Sequence, residues 1–145
     1  GMVVAGEGPE GSLRREAVNA GIPAIIYEGG PPYIFVEPEI ARGTQGVKNV
    51  MSYLGMTDDP PNTTPARWLD RSRWLRVPQG QGGIYVPTVA VGDEVQAGQL
   101  LATITDPITN EVHEIRAADD GVVIGMALPQ VVLSGSALLH VGKMK

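Results

Sequence analysis

One phrase occurs twice in the second half of the chain. Val95-Gln-Ala-Gly98-Gln-Leu-Leu101-Ala-Thr-Ile104 and Val132-Leu-Ser-Gly135-Ser-Ala-Leu138-Leu-His-Val141 share the pattern Val-x-x-Gly-x-x-Leu-x-x-(Ile/Val). Each follows a short apolar run that opens on glycine, Gly83-Ile-Tyr-Val and Gly121-Val-Val-Ile. The apolar positions of the two copies are expected to enter one shared core, with the central glycine of each taking a tight turn. The pattern therefore predicts two interlocked β halves related by an approximate twofold axis. Nineteen glycines and twelve prolines among 145 residues supply the turns that short strands require.

The first half reads differently. Ser12 is placed to cap a helix whose apolar side is Leu13, Ala17, Val18 and Ala20, and Gly21 ends it. Gly21-Ile-Pro-Ala-Ile-Ile-Tyr-Glu28-Gly-Gly30 then predicts a buried strand that delivers a single carboxylate to a flexible edge. A charge in that position needs a partner, a metal or a proton, so Glu28 either steadies nearby loop amides or is a working carboxylate. Beyond the extended Pro31-Pro32-Tyr33 loop, Pro38 suits a first helical turn. Ile40, Val47, Val50, Met51 and Leu54 keep a helical spacing to Gly55.

Asp58-Asp-Pro-Pro-Asn-Thr-Thr-Pro65 is a linker by composition. The expected organisation is an α/β segment over residues 1–57, a linker over 58–72 and a β domain over 73–145. Trp68 and Trp74, interleaved with Arg67, Arg71, Arg73 and Arg76, are expected to fill an interface between these parts. Met2–Ala5 reads as a short strand ahead of a glycine-rich turn.

Charge and composition exclude several functions. The net charge is −5 and no basic run exceeds Arg14-Arg15, so there is no stripe for a phosphate backbone and no nucleic-acid partner is expected. Without cysteine there is neither a disulfide nor a thiolate metal site. No apolar run is long enough for a membrane span and no signal pattern is present, so a cytoplasmic location without membrane association is the expectation. Gly1 ahead of Met2 reads as a remnant of tag cleavage. Glu111 and His113 alternate onto one face of a strand and could begin a metal site, but a third ligand is lacking and a solvated face is the plainer reading. His140 reads as an ordinary strand residue.

The runs Gly11-Ser-Leu-Arg14, Ile22-Pro-Ala-Ile-Ile-Tyr-Glu28-Gly-Gly and Gly46-Val-Lys-Asn-Val-Met-Ser-Tyr-Leu-Gly-Met56 resemble the succinylglutamate desuccinylase/aspartoacylase family of zinc carboxypeptidase-like amidohydrolases. The likeness extends over nearly all of this chain but only over the back, C-terminal portion of the family. It implies an α/β N-terminal piece, a fragment of the zinc-carboxypeptidase-like fold, followed by an all-β barrel-sandwich hybrid resembling biotinyl and lipoyl domains. Val91-Gly-Asp-Glu-Val95-Gln-Ala-Gly98 carries the second resemblance. A swinging-arm carrier would need a lysine at the hairpin joining the halves, and Asp106-Pro-Ile-Thr-Asn-Glu111 has none; the lysines are Lys48, Lys143 and Lys145.

By the same resemblance Glu28 is the catalytic acid/base and Arg14, or its neighbour Arg15, grips a substrate carboxylate. The substrate implied is a small N-acyl amino acid. Family members hold zinc through a His-x-x-Glu pair and a later His in their front part. This chain has only His113 and His140 and no such pattern. It is therefore expected to carry no zinc and to be inactive by itself, its partner being the missing zinc-binding N-terminal part or a second copy of the chain. The other reading is a non-catalytic binding or assembly module that retains the scaffold.

Overall fold

A computed structural model describes residues 1–144. The elements in order are β1 (Met2–Val4), α1 (Leu13–Asn19), α2 (Glu37–Tyr53), β2 (Arg67–Arg76), β3 (Gly83–Pro87), β4 (Glu94–Val95), β5 (Leu100–Thr105), β6 (Val112–Arg116), β7 (Gly121–Met126), β8 (Val131–Val132) and β9 (Ala137–Met144). The chain divides into two units, Glu7–Pro65 and a β unit made of Gly1–Gly6 with the residues from Ala66 onward. β1 belongs to the β unit because it pairs in parallel with the start of β2, Val3 opposite Trp68. β2 itself takes up Arg67–Ser72 from the stretch expected as linker.

The β unit consists of two sheets, ordered β1-β2-β9-β7-β4 and β6-β5-β3-β8. Both the expected repeat and its twofold relation are visible in the pairings. β3 pairs with β5 as β7 pairs with β9, and β3 pairs with β8 as β7 pairs with β4. The flanking strands extend the symmetry beyond the two phrases, since β6 pairs with β5 as β2 pairs with β9. Val95 corresponds to Val132 and Leu101 to Leu138, and all four are buried. Gly98 and Gly135 both have φ of 82°. At that angle a side chain is strained, which explains why glycine recurs there.

The symmetry reaches the hydrogen bonds. Gly98 N donates to Ala117 O at 2.8 Å and Gly135 N to Val77 O at 3.0 Å. Arg116 Nη1 donates to Gly98 O at 2.8 Å and Arg76 Nη1 to Gly135 O at 3.0 Å. Each repeat turn is thus held by one arginine from the strand that precedes the other half.

Tyr85, Leu101, Ile104 and Ile115 of one sheet meet Val95, Val123, Leu138 and Leu139 of the other in a single core. The expected closed barrel is not formed: both sheets are open, ending at β1 and β4 and at β6 and β8. The two inner edges, β4 and β8, have two residues each, too few to carry a hydrogen-bond ladder from one sheet round to the other. Within the β unit Trp68 is 60% and Trp74 42% exposed, while Leu69 and Leu75 are the residues of β2 that turn inward.

In the other unit α1 is capped as expected, Ser12 Oγ accepting from Arg15 N at 3.3 Å. α2 starts after Val36 with Pro38 in its first turn. The residues after Gly21 depart from expectation. Residues 23–29 form no strand, and Ile25 and Ile26 are exposed rather than buried. The reason is that no other strand lies beside this segment, so its apolar, β-branched sequence has no ladder to join. None of residues 7–65 is buried. Their order comes from polar ties: Asn49 Nδ2 donates to Asn62 O at 2.8 Å, Asn62 N donates to Asn49 Oδ1 at 2.9 Å, and Ser52 Oγ donates to Asp59 O at 2.7 Å. The proline-rich stretch is therefore fastened along α2, although its composition reads as a free linker.

Candidate functional site

Arg14 is the second residue of α1, and its guanidinium lies against Gly8. Gly8 has φ of 80°, which favours glycine at the turn, and a Cβ there would come within 2.7 Å of Arg14 Nη2 and shift that guanidinium. The adjacent Arg15 forms an ion pair with Glu7. Arg14 Nε is buried and has no hydrogen-bond partner. A buried donor left unmatched costs about 1–3 kcal/mol, so it is a group with capacity for an acceptor.

Glu28 is exposed, and among the described residues its carboxylate makes no hydrogen bond or ion pair. Its backbone is set by the residue before it. Tyr27 Oη donates to Glu39 Oε2 at 2.7 Å and to Glu39 O at 3.0 Å, while Arg42 Nη1 donates to Glu39 Oε1 at 2.7 Å and Oε2 at 2.6 Å. The hydrogen bond to Glu39 holds the Tyr27 phenol above its usual range, and the same bond, helped by the Arg42 charge, holds the Glu39 carboxyl below its own. Both groups keep their neutral-pH forms across a wide range.

The Tyr27 ring fits because two neighbours lack side chains. A Cβ on Gly43 would lie 2.9 Å from the ring, and one on Gly29 would lie 2.8 Å from it. Gly43 is thus the seat for Tyr27 on α2 rather than a flaw in the helix. Gly43→Ala adds a good helix former, worth about 1 kcal/mol to α2, while displacing the ring. Faster amide exchange at residues 24–29 without loss of helix content is the expected result, read by hydrogen exchange and circular dichroism.

Sequence reasoning found Arg14 and Glu28 but not Tyr27, Glu39 and Arg42 as a cluster. The spacing of Glu39 and Arg42 on one helical face was the available signal. On β2, Trp74 stacks on His140 with ring centroids 4.5 Å apart, Gly125 lies beside both rings, and His140 Nε2 is 2.8 Å from Ser72 Oγ. His140 is therefore part of a cross-strand cluster and not simply a strand residue. His113 Nε2 is 3.9 Å from Glu111 Oε1. Among the described residues no three of His, Cys, Asp and Glu come together, so the donor set does not fit a zinc ion. No helix among the described residues is long and apolar enough to cross a membrane.

No family profile and no curated protein matches the sequence. Solved structures do. A succinylglutamate desuccinylase/aspartoacylase from Rhodobacter sphaeroides superposes with a TM-score of 0.84 at 22% identity, over 94% of this chain and 44% of that one. The chain has the desuccinylase/aspartoacylase fold. A succinylglutamate desuccinylase from a Silicibacter species gives the same TM-score, 0.84, at 23% identity over 98% of this chain and 44% of its own. The apo ectoine utilization protein of Ruegeria pomeroyi gives 0.79 at 19% identity, over 96% of this chain and 45% of that one. The present chain thus spans less than half the length of the desuccinylase/aspartoacylase structures it matches.

Proposed function

We propose that this chain is the C-terminal portion of an amidohydrolase acting on N-acyl amino acids, and that it contributes an acid/base and a substrate clamp. The fold match supports the class. The observation that carries the residue assignment is the pairing state of the two arginines: Arg15 is engaged with Glu7, whereas Arg14 keeps a buried, unmatched Nε. A guanidinium in that state suits a substrate carboxylate, which accepts through two oxygens. Glu28, unpartnered and exposed, is free to take a proton from an attacking water and return it to the departing amine. Tyr27, pinned through Glu39, fixes the chain on one side of it, and Gly29-Gly30 leaves room on the other.

The residues described do not fit zinc, so any metal ligands have to come from a different polypeptide segment. The experiment is co-expression with a segment carrying the His-x-x-Glu and His pattern, followed by assay of amino acid release from N-acyl aspartate and N-succinyl glutamate. Glu28→Gln is expected to lower kcat about 100-fold or more with little change in KM. Arg14→Gln is expected to raise KM about tenfold, and Arg15→Gln to leave it within about twofold. Full activity in Glu28→Gln would overturn the assignment.

The β unit is read as a barrel-sandwich hybrid without carrier function. Its twofold pairing of strands supports the first part, and the β5–β6 hairpin, free of lysine and closed by Asp106, supports the second. Asp106 Oδ1 accepts from Ile108 N at 2.7 Å and Thr109 N at 3.2 Å, which holds its carboxyl below the usual range. A second reading, an assembly module, is favoured by the apolar surface of the smaller unit, where Ile25 is 86%, Phe35 96% and Tyr53 87% exposed. Stable oligomers of the purified chain that resist dilution would favour it.

A further inference from the structure

The β unit has a cleft of about 270 Å³ that the proposed chemistry does not use. Arg71 and Arg73 of β2 and Lys143 of β9 line it, with Asp119 and Asp120 from the turn before β7 and with Leu75 and Val141 as apolar surface. Arg71 is directly opposite Lys143 in the β2–β9 register. Like charges in that relation repel, so the arrangement carries a cost.

Asp119 and Asp120 line the same cleft, yet among the described residues neither forms an ion pair with these cations. The ion pairs of this unit join Arg67 to Glu94, His113 to Glu111 and Arg116 to Glu114. Arg71, Arg73 and Lys143 take part in none among the described residues. Asp120 Oδ1 is already occupied, accepting from Ala97 N at 2.8 Å.

The fold does not demand these cations either, and its own twofold relation shows why. The pairing of β6 with β5 repeats that of β2 with β9, so His113 opposite Ile104 corresponds to Arg73 opposite Val141. Continuing the register, Arg71 corresponds to Glu111 and Lys143 to Asp106, whose backbones are joined by the bond from Asp106 N to Glu111 O. The same structural positions therefore hold two arginines and a lysine in one half, and a histidine and two acids in the other. Arg76 and Arg116, which do serve the fold, are by contrast the same residue in both halves.

We propose that this cleft binds a small organic dianion, its oxyanion groups held by Arg71, Arg73 and Lys143 and its carbon skeleton resting on Leu75 and Val141. Asp119, which also lines the cleft, excludes bulkier polyanions by repulsion and accepts from a hydroxyl or amine of the ligand. The inference concerns the β unit alone and does not depend on Glu28 or Arg14.

The test is titration of the full chain with succinate, inorganic phosphate and acetate at low ionic strength, followed by amide chemical shifts in 1H–15N spectra. Succinate is expected to saturate, with shifts centred on residues 71–73 and 118–120. Acetate is expected to bind at least about tenfold more weakly, and added sodium chloride to weaken succinate binding progressively. If phosphate binds as tightly as succinate, charge alone is being read and the assignment of an organic ligand is overturned.

Arg73→Gln is expected to weaken succinate about tenfold or more, while Asp119→Asn strengthens it severalfold. A misfolded variant cannot give that second result. Lys48→Gln, on α2 and not among the residues lining the cleft, is the control and should leave affinity unchanged. Unsaturable shifts, or equal affinity in the Arg71→Gln/Arg73→Gln double variant, would overturn the proposal. So would a double variant that binds normally but self-associates in sedimentation, since the arginines would then be guarding the open edge of β2 against other strands.

Discussion

Gly83→Ala should destabilise the β unit by about 4 kcal/mol or more, enough to leave much of it unfolded at room temperature. Gly83 has φ of 136°, and a Cβ there would lie 2.1 Å from Thr105 O and 2.8 Å from Thr105 C. The obstacle is backbone at the end of the neighbouring strand β5, so no side-chain rotation relieves it. Its twofold counterpart gives an internal check. A Cβ on Gly121 would lie 2.5 Å from Gly142 O, again backbone of a neighbouring strand, here β9. Gly121→Ala should therefore also destabilise strongly, though less, because φ there is not in the left-handed region. Gly46→Ala is the contrast: it lies within α2 with nothing near its missing Cβ, and should stabilise the smaller unit by about 1 kcal/mol. Trp68 and Trp74 both lie in β2, so urea unfolding followed by tryptophan fluorescence reports the β unit alone.

Tyr85→Ala should cost about 3–5 kcal/mol, since it empties the space of the largest fully buried side chain. Tyr85→Phe should be nearly neutral at pH 7. Its hydroxyl reaches Leu138 O only at 3.5 Å, and that carbonyl also accepts from Ala127 N at 2.7 Å. The pair separates again in alkali. Burial pushes the Tyr85 phenol up to about 12 from an ordinary value near 10. Between those limits the unfolded chain ionises while the folded chain keeps its proton. The contribution is thus complete below pH 10 and is lost as pH rises through 12, on the order of 2–3 kcal/mol. Tyr85→Phe should show a smaller alkaline loss than the parent chain; parallel stability curves from pH 9 to 12 would mean that the phenol is not desolvated.

These predictions follow from a part of the molecule that was largely readable in advance. Val95, Gly98 and Leu101 recur as Val132, Gly135 and Leu138, and each copy occupies the same place in its own half. What the phrase could not convey was its partner strands. β2 and β6 complete the symmetry, yet their sequences have almost nothing in common beyond Arg76 and Arg116. The reason is that a backbone ladder places no demand on side chains facing solvent. That freedom lets one half carry Arg71, Arg73 and Lys143 where the other carries Glu111, His113 and Asp106.

The smaller unit shows the reverse. Its helices were legible from Ser12, Pro38 and the apolar spacing of α2, but its strand was not realised. Ile22–Tyr27 has the composition of a buried strand, and a composition can specify only a preference; the ladder needs a neighbour, which this chain does not place beside it. Tyr27 on Gly43 was invisible for a related reason, because a ring seated on a bare helix is a contact between residues far apart in the chain.

The sequence by itself determined the repeat, the glycine turns, the cap of α1 and the extent of α2, all of which depend on residues close together or on a pattern written twice. Only the tertiary structure decided that the sheets stay open, that Arg15 rather than Arg14 is taken by Glu7, and that three cations face one cleft. Those outcomes depend on which side chains meet across the fold, and the energy of such a meeting is set by distance and burial rather than by order along the chain.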